Sequence, residues 1–356
     1  TTPASETPAP PPAIHSAGDQ SEAGQSEASQ SEAEPSETAD LSEALFDPDH
    51  MIEVQVELND SDWEELRWEG RDPGQAITGC GDFVGYNYFD ATVTVDGERY
   101  EDVAVRKKGY LGSLTSLRPS LKLHFERNVE GRTHAGMKRM TLNNDRQDPS
   151  HTHQCMAYDL FRAAGVPAPR CNHARVVVNG EDLGIYTHVE SIKKPMIARH
   201  FSDDSGDLFE GQKADFGGAF LDAFQFKGDE DDRDLGMFRA VARVLDGPDA
   251  DLLEDLGELV DMEAFLTFMA MEAITGHWDG YSGNSNNFLI YHDPTSDKLH
   301  FIPWGTDGAF AAENPFDRVN KAASVYANGR LANRIYNHAE GHRLYRARLL
   351  HLVQTH

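Results

Sequence analysis

His277-Trp278-Asp279-Gly280-Tyr281-Ser282-Gly283-Asn284-Ser285-Asn286-Asn287, followed by Pro303-Trp304-Gly305-Thr306-Asp307, is the stretch on which the reading of this chain turns. Between the two segments, Phe288–Tyr291 and Leu299–Ile302 are short apolar runs on either side of Asp293-Pro294, which predicts a hairpin. An Asp and an Asn then precede the hairpin, and a second Asp stands just past its other end. Oxygen donors in that arrangement suit Mg²⁺ or Mn²⁺, because magnesium takes one or two carboxylates and completes its shell with water and phosphate.

Asp279 and Asn284 are five apart, the spacing of the Asp and Asn in a kinase catalytic loop. Catalytic loop, hairpin and metal-binding Asp also follow one another in kinase order. A triphosphate carries too much negative charge to be attacked unless a divalent cation bridges its oxygens, and this clamp would hold that cation. The same residues are common turn formers, so Asp279-Gly280 and Asp307-Gly308 also read as loop punctuation.

Upstream, Arg106-Lys107-Lys108-Gly109-Tyr110-Leu111-Gly112-Ser113 sets a basic cluster beside two glycines and a serine, next to a predicted strand. Such a loop lets backbone N–H groups approach phosphate closely. Lys122 lies on the following strand, Leu121–Phe125, where a kinase carries its phosphate-pairing lysine. A plain basic turn is the alternative.

Working outward, Met51–Leu58 alternates as a strand and Asp60–Trp68 follows as a short helix. Ala91–Val95 and Tyr100–Val105 flank Asp96-Gly97, and Ala174–Val178 and Ile185–Val189 flank Asn179-Gly180, two hairpin signals. Ser150–Ala164 reads as an amphipathic helix stopped by Gly165 and Pro167, Met262–Thr275 as an apolar helix, and Gly341 onward as a basic one. Strands with glycine loops, then helices interrupted by a hairpin, indicate an α+β fold. Residues 1–48 are rich in Pro, Ser, Glu, Ala and Gln, with Gln-Ser-Glu-Ala recurring at 20, 25 and 30, and read as a disordered tether. A small β-rich region is expected at 49–105 and the main domain at 106–356. The chain starts at Thr1 without Met, so a processed N-terminus is expected, with a lipid anchor or secretion signal upstream as the one route to a membrane. No apolar run reaches the roughly 18 residues of a spanning helix.

The formal net charge of the 356 residues is −28. Residues 1–48 hold ten acidic residues and no Lys or Arg, so the rest still carries −18. Such a surface repels phosphate backbones and excludes nucleic acid as a partner; a nucleotide would need a metal and local cations. The cysteines are Cys80, Cys155 and Cys171. A bridge Cys155–Cys171 between a helix and its return strand stands beside the alternative of three free thiols.

The segments Arg106–Ser113, Arg118-Pro119-Ser120-Leu121-Lys122, Leu142-Asn143-Asn144-Asp145, Asn179-Gly180 to Glu190, and Asp279 to Asp307 together resemble the spore-coat protein H (CotH) kinase family. The resemblance runs in order over about 100 to 310. It implies an atypical protein kinase with a reduced kinase-like fold, acting on coat or other secreted and cell-surface proteins and transferring phosphate from ATP to Ser, Thr or Tyr hydroxyls. It further implies that Asp279 and Asp307 are the essential acidic pair, serving the metal and the acceptor hydroxyl. Asn284 and Asn287 would line the metal site. Lys122 with Arg106 or Lys108, and the Gly112-Ser113 loop, would reach the phosphates.

Two departures stand out. Many relatives read Pro-Trp-Asp-x-Asp where this chain has Gly305 and only Asp307. The helix after the lysine strand also offers no Glu to Lys122, which leaves Glu190 as the expected partner. A catalytically inactive surface protein on the same scaffold, and a nucleotidyl transferase, are the rival functions. The acidic run Asp229–Asp234 lacks EF-hand spacing and reads as a solvated turn. His151 and His153 diverge at i, i+2. Trp278, Trp304 and Phe310 read first as packing, with stacking on adenine as the alternative.

Overall fold

The computed structural model describes residues 41–70, 85–109, 113–311 and 325–356. Two sheets and a set of helices make an α+β protein. Seven strands close into a barrel: β1 (Met51–Glu57), β2 (Phe89–Val95), β3 (Glu98–Lys108), β4 (Ser120–His124), β5 (Arg139–Asn143), β6 (Cys171–Val178) and β7 (Glu181–Val189), in the order β1-β2-β3-β4-β5-β7-β6. Closure comes from β1 pairing parallel with β6, Ile52 beside Ala174 and Val56 beside Val178. The other neighbours are antiparallel.

Alternation builds the barrel interior. In β1 every second residue, Ile52, Val54 and Val56, is buried, and Val93, Val95, Leu121, Leu123, Val176 and Val178 meet them inside. Leu45 and Phe46, which composition assigns to the tether, pack into this same core through a 3₁₀ turn at Ala44–Phe46. The tether therefore ends earlier than 48, because these two side chains have apolar surface to bury. Strand β3 runs across position 105, so residues on both sides of that expected boundary share one barrel.

The helix α1 (Asp60–Trp68) lies against β3, and α2 (His153–Ala163) follows β5. After β7 come α3 (Lys194–His200), then β8 (Asp207–Gly211) and the short β9 (Gln225–Phe226). Next are α4 (Gly236–Asp246), α5 (Leu252–Leu259) and α6 (Met262–Ile274). The chain ends with α7 (Tyr281–Asn284), β10 (Phe288–Asp293), β11 (Lys298–Pro303), α8 (Arg330–Asn337) and α9 (Ala339–Thr355). The predicted hairpin is present as β10–β11, with Phe288 opposite Pro303 and Asp293 opposite Lys298. Its other edge pairs with β8, in a sheet ordered β11-β10-β8-β9.

An aromatic-rich core, with Phe216, Phe238, Phe265, Phe268, Tyr281, Phe288 and Phe301, joins this sheet to the helices. Helix α6 is buried on every side from Phe265 to Ala273, and α9 packs along it. The Cys155–Cys171 bridge is formed and ties α2 to β6. The predicted start of α2 at 150 moves to His153: Asp148 Oδ2 accepts from the His153 N–H at 2.7 Å, and His151 has φ +61° outside the helix. The acidic run 229–234 forms an exposed 3₁₀ turn in which Asp229 caps Asp231 N. Among the described residues no helix is long and apolar enough to cross a membrane.

Candidate functional site

A cleft of about 440 Å³ lies where the barrel meets the hairpin sheet. Strands β3 and β4 supply its basic wall. Arg106 lies directly across the ladder from Lys122, and Lys108 from Ser120. Arg106, Lys108 and Lys122 all line the cleft, joined by Lys193 from the segment after β7.

Lys122 is the most exceptional of these groups. Burial first, and then the charges of Arg106, Lys108, Arg139 and Lys193, push it down to about 7. Among the described residues it has no hydrogen-bond or ion-pair partner. A lysine so placed lacks an anion, and one entering the cleft would restore its charge. Lys108 is pushed down to about 8 by burial, with Asp307 holding it up and Arg106 opposing. Its Nζ also donates to Asn143 Oδ1. Arg106 lies over the Tyr88 ring and donates to the Tyr88 hydroxyl at 3.2 Å, which fixes its direction.

The turn between α6 and β10 and the loop after β11 bring in the acidic side. Asp279 is gripped by three amides. Asn284 Nδ2 donates to Oδ1 at 2.5 Å, and Asn286 and Asn287 Nδ2 donate to Oδ2 at 3.2 and 2.8 Å. Burial raises the Asp279 carboxyl, while the amides of Asn284 and Asn286 and the charge of Lys213 pull it back. Asp307, in the middle of a 3₁₀ turn, is pushed up to about 6 by burial; Lys108 lowers it, and Asp279 and Asp145 raise it. Asp307 therefore senses the Asp279 charge within one cleft.

Helix α2 holds the Asp307 loop in place. Gly305 N donates to the Tyr158 hydroxyl at 3.1 Å and Thr306 Oγ1 to the Gln154 carbonyl at 3.3 Å. Gln154 Oε1 also accepts from Asn143 Nδ2 at 2.6 Å, so one helix links the basic and acidic walls. Gly305 has φ +55°, and a Cβ there would lie 2.9–3.1 Å from the Asn287 side chain.

Most of the residues expected from sequence meet here, and some do not. Asp279, Asp307, Asn287, Lys122, Arg106, Lys108 and Ser113 line the cleft. Gly112 lies outside the described residues. Asn284 is not among the lining residues: its amide goes to Asp279 and its carbonyl oxygen accepts from Lys213 at 2.9 Å. The expected role for Glu190 is corrected. It does not meet Lys122 but is fully buried between two arginines, Arg170 Nη2 donating to Oε1 at 3.0 Å and Arg199 to both oxygens at 2.5–2.6 Å. That pairing stabilises a buried carboxylate away from the cleft. His151 and His153 pair with Asp145 and Asp148 respectively.

Sequence reading missed Asn286, Asp145, Lys193 and Glu210, all of which line the cleft. Asn286 was visible in the same motif, one residue before Asn287. Glu210 on β8 pairs with Lys227. Trp278 and Trp304 border the cleft, and Trp304 packs against two cores at once, so packing and a wall of the site are the same contact. Phe310 packs edge-on against His153.

Asn286 and Asn287 spend their NH₂ groups on Asp279, an obligate acceptor when ionised. Their carbonyl oxygens have no hydrogen bond among the described residues. With Asp279 and Asp307 they form an oxygen-only donor set of the kind hard divalent cations take. Among the described residues no three His, Cys, Asp or Glu converge as a metal cage.

Residues 105–356, more than two-thirds of the chain, match the family described as CotH kinase protein. The chain is 22% identical over 200 residues to inner spore coat protein H of Bacillus subtilis (strain 168), covering 53% of this chain and 54% of that protein. It is 25% identical over 226 residues to spore coat protein homolog 1 of Rhizopus delemar, covering 58% of this chain and 37% of that protein. It is 24% identical over 289 residues to invasin CotH2 of the same organism, covering 75% and 46%. The matches thus span about half or less of these relatives' lengths. With its match running from the last residues of β3 to the end of α9, the chain belongs to the CotH family.

Proposed function

We propose that this chain is an atypical, kinase-like phosphotransferase that moves the γ-phosphoryl group of ATP to a Ser, Thr or Tyr hydroxyl of a coat or cell-surface protein. The observation that carries the reading is Lys122, without an anionic partner among the described residues, lining one cleft with two carboxylates, of which Asp279 helps to raise Asp307. An anion with a bound cation complements both walls at once, and a metal–triphosphate is such a ligand. The barrel and the helical part would be the two lobes of a reduced kinase fold.

In this reading Lys122, Lys108 and Arg106 take the phosphate oxygens by charge-assisted hydrogen bonds. Asp307 with Asn287 and Asn286 would hold Mg²⁺ or Mn²⁺, which when bound neutralises charge on the phosphates. Asp279 accepts the proton of the acceptor hydroxyl as its oxygen bonds to the γ-phosphorus and the bond to the ADP oxygen breaks. The three amides aim the Asp279 carboxylate, and those of Asn284 and Asn286 offset part of the rise that burial causes. The names of the relatives, spore coat protein and invasin, support a coat or surface location. Nucleic acid remains an unfavourable partner for a chain of this charge.

A second reading, a catalytically silent surface protein, is favoured by Gly305. The family resemblance leads one to expect a carboxylate at 305, but this chain has glycine there, and the space in which a side chain would begin is filled by Asn287. Incubating the purified chain and a hydroxyl-bearing protein with ATP labelled at γ or at α, with and without Mn²⁺, separates the readings. Label transferred from γ supports the proposal, label from α indicates nucleotidyl transfer, and no transfer with no nucleotide binding favours the silent scaffold.

A further inference from the structure

We propose that Glu272 is a positioning residue, the buried strut over which the Asp279 turn is folded and which fixes where the Asp279 carboxylate stands. Its effect on transfer rests on the phosphotransferase reading; its effect on the turn does not.

Glu272 lies near the end of α6, a helix otherwise packed with Phe, Leu, Met and Ala, and is completely buried. It holds both ends of the turn. Its main-chain carbonyl accepts from His277 N at 2.8 Å, and its Oε2 accepts from Ser282 N at 2.9 Å. Asp279 sits midway between those two bonds. Gly280 lies directly on the carboxyl group: a Cβ there would be 1.9 Å from Glu272 Oε1 and 2.7 Å from His277 Cδ2. Its backbone is extended, φ −79° and ψ −169°, so space rather than φ demands glycine.

The contact passes on to the site. The Gly280 carbonyl accepts from Asn284 N at 2.9 Å and Asn286 N at 3.4 Å, and those two asparagines clamp Asp279 through their side chains. The position of the Glu272 carboxyl therefore sets Gly280, Gly280 sets the two amides, and the amides set Asp279. An apolar side chain would suit α6 better than a carboxyl group, whose burial is costly without partners. What the carboxyl adds is the hold on Ser282.

No cation faces it. The titratable groups around it are His277 in the turn, Tyr281 on α7 and Tyr345 on α9. Burial pushes His277 down to about 4 and both tyrosines above their ordinary value, so all three are neutral. Burial likewise pushes Glu272 up to about 8, which makes it an uncharged acid at neutral pH. A neutral amide is thus a closer mimic of it than any apolar residue.

The test compares the full chain with Glu272→Gln, Glu272→Met and Gly280→Ala. Three quantities are measured: amide hydrogen exchange across 277–288, affinity for a fluorescent ATP analogue with Mn²⁺, and single-turnover transfer of γ-phosphate. Glu272→Met and Gly280→Ala are expected to speed exchange in the turn and slow transfer, each at least tenfold, while nucleotide affinity falls by less than transfer does, because Lys122, Lys108 and Asp307 stay in place as Asn286 shifts. Glu272→Gln is expected to keep the protection and most of the transfer. Its stability relative to wild type should also rise as pH goes from about 4.5 to 8, because wild type loses the favour of its protonated acid over that window. Wild-type exchange and transfer in Glu272→Met overturn the proposal while leaving the phosphotransferase reading intact. If the wild type transfers nothing, that reading falls and Glu272 is judged on exchange alone, unchanged protection in Glu272→Met again overturning it. If Glu272→Met does not fold, Gly280→Ala, which leaves the carboxyl in place, decides the matter by the same criteria.

Discussion

Asn287 occupies the space next to Gly305: its Nδ2 donates to Asp279 Oδ2 at 2.8 Å, and its Cγ stands 2.9 Å from where a Cβ on Gly305 would be. The glycine is required twice over, by its φ of +55° and by this neighbour. Gly305→Ala should cost about 1–2 kcal/mol from the left-handed backbone alone. It should also displace Asn287, weakening Mn²⁺-dependent nucleotide binding. A melting curve with and without Mn²⁺ and ATP checks both effects. An unchanged ligand-induced shift in a destabilised variant would mean that Asn287 takes no part in the site.

Glu190 should behave as a structural group. All the hydrogen-bond partners of its carboxylate are donors: Arg170 N, Arg170 Nη2, and Arg199 Nη1 and Nη2. Glu190→Gln sets an NH₂ group against those donors and leaves two arginines without their shared anion. A loss of about 3–5 kcal/mol is expected, as for breaking a buried ion pair. Nucleotide affinity of the protein that remains folded should be unchanged, and a selective loss of affinity in equilibrium titration would return Glu190 to the site.

The motif around Asp279 was legible because its parts are local. The spacing from Asp279 to Asn287, the turn residues at 293–294 and the return to Asp307 lie within about thirty residues, and each carries its own signal. Barrel closure was not legible, since β1 and β6 meet across more than a hundred residues of sequence and neither strand records its partner. Glu210 lies on the five-residue strand β8, too short for a periodic pattern to stand out. Lys193 follows a strand end, where one lysine in Lys193-Lys194 looks like any surface pair. Glu190 shows the converse limit. Sequence order put a carboxylate at the right place in the chain, but Arg170 and Arg199 lie in the fold where only the structure could reveal them.

Lys122→Met should make the empty protein more stable and the nucleotide-bound one less so. Because the folded pKa is lowered to about 7 from an ordinary value near 10.5, the unfolded chain binds more protons between those limits. Wild-type stability from this group therefore rises with pH from about 7 to 10.5, and is at its worst below 7. The methionine variant should melt higher than wild type at pH 6–7, the gap narrowing toward pH 10. Its ATP-induced shift should be lost. A variant that melts lower at pH 6, or that binds nucleotide as before, would assign Lys122 to an ordinary surface role.

Asp307→Asn and Asp279→Asn should separate a ligand-binding carboxylate from a structural one. Asp307 is raised to about 6, chiefly by burial, so the folded protein holds its proton more tightly than the unfolded chain between about 3.8 and 6. Its contribution to stability is present below 3.8 and lost as pH climbs through 6. Removing the charge should leave the empty Asn variant at least as stable as wild type at pH 7, with the difference shrinking at pH 4. Asp279 differs because three asparagine amides donate to it. Asp279→Asn must turn one NH₂ group toward those donors, and a loss of about 1–3 kcal/mol is expected from the unsatisfied contact. Both variants should abolish metal-dependent transfer, and only Asp307→Asn should do so without lowering the melting temperature. Melting temperatures at pH 4 and pH 7, each with and without Mn²⁺ and ATP, test the pair together. A full ligand-induced shift in both variants, or none in the wild type, would remove the two carboxylates from nucleotide binding.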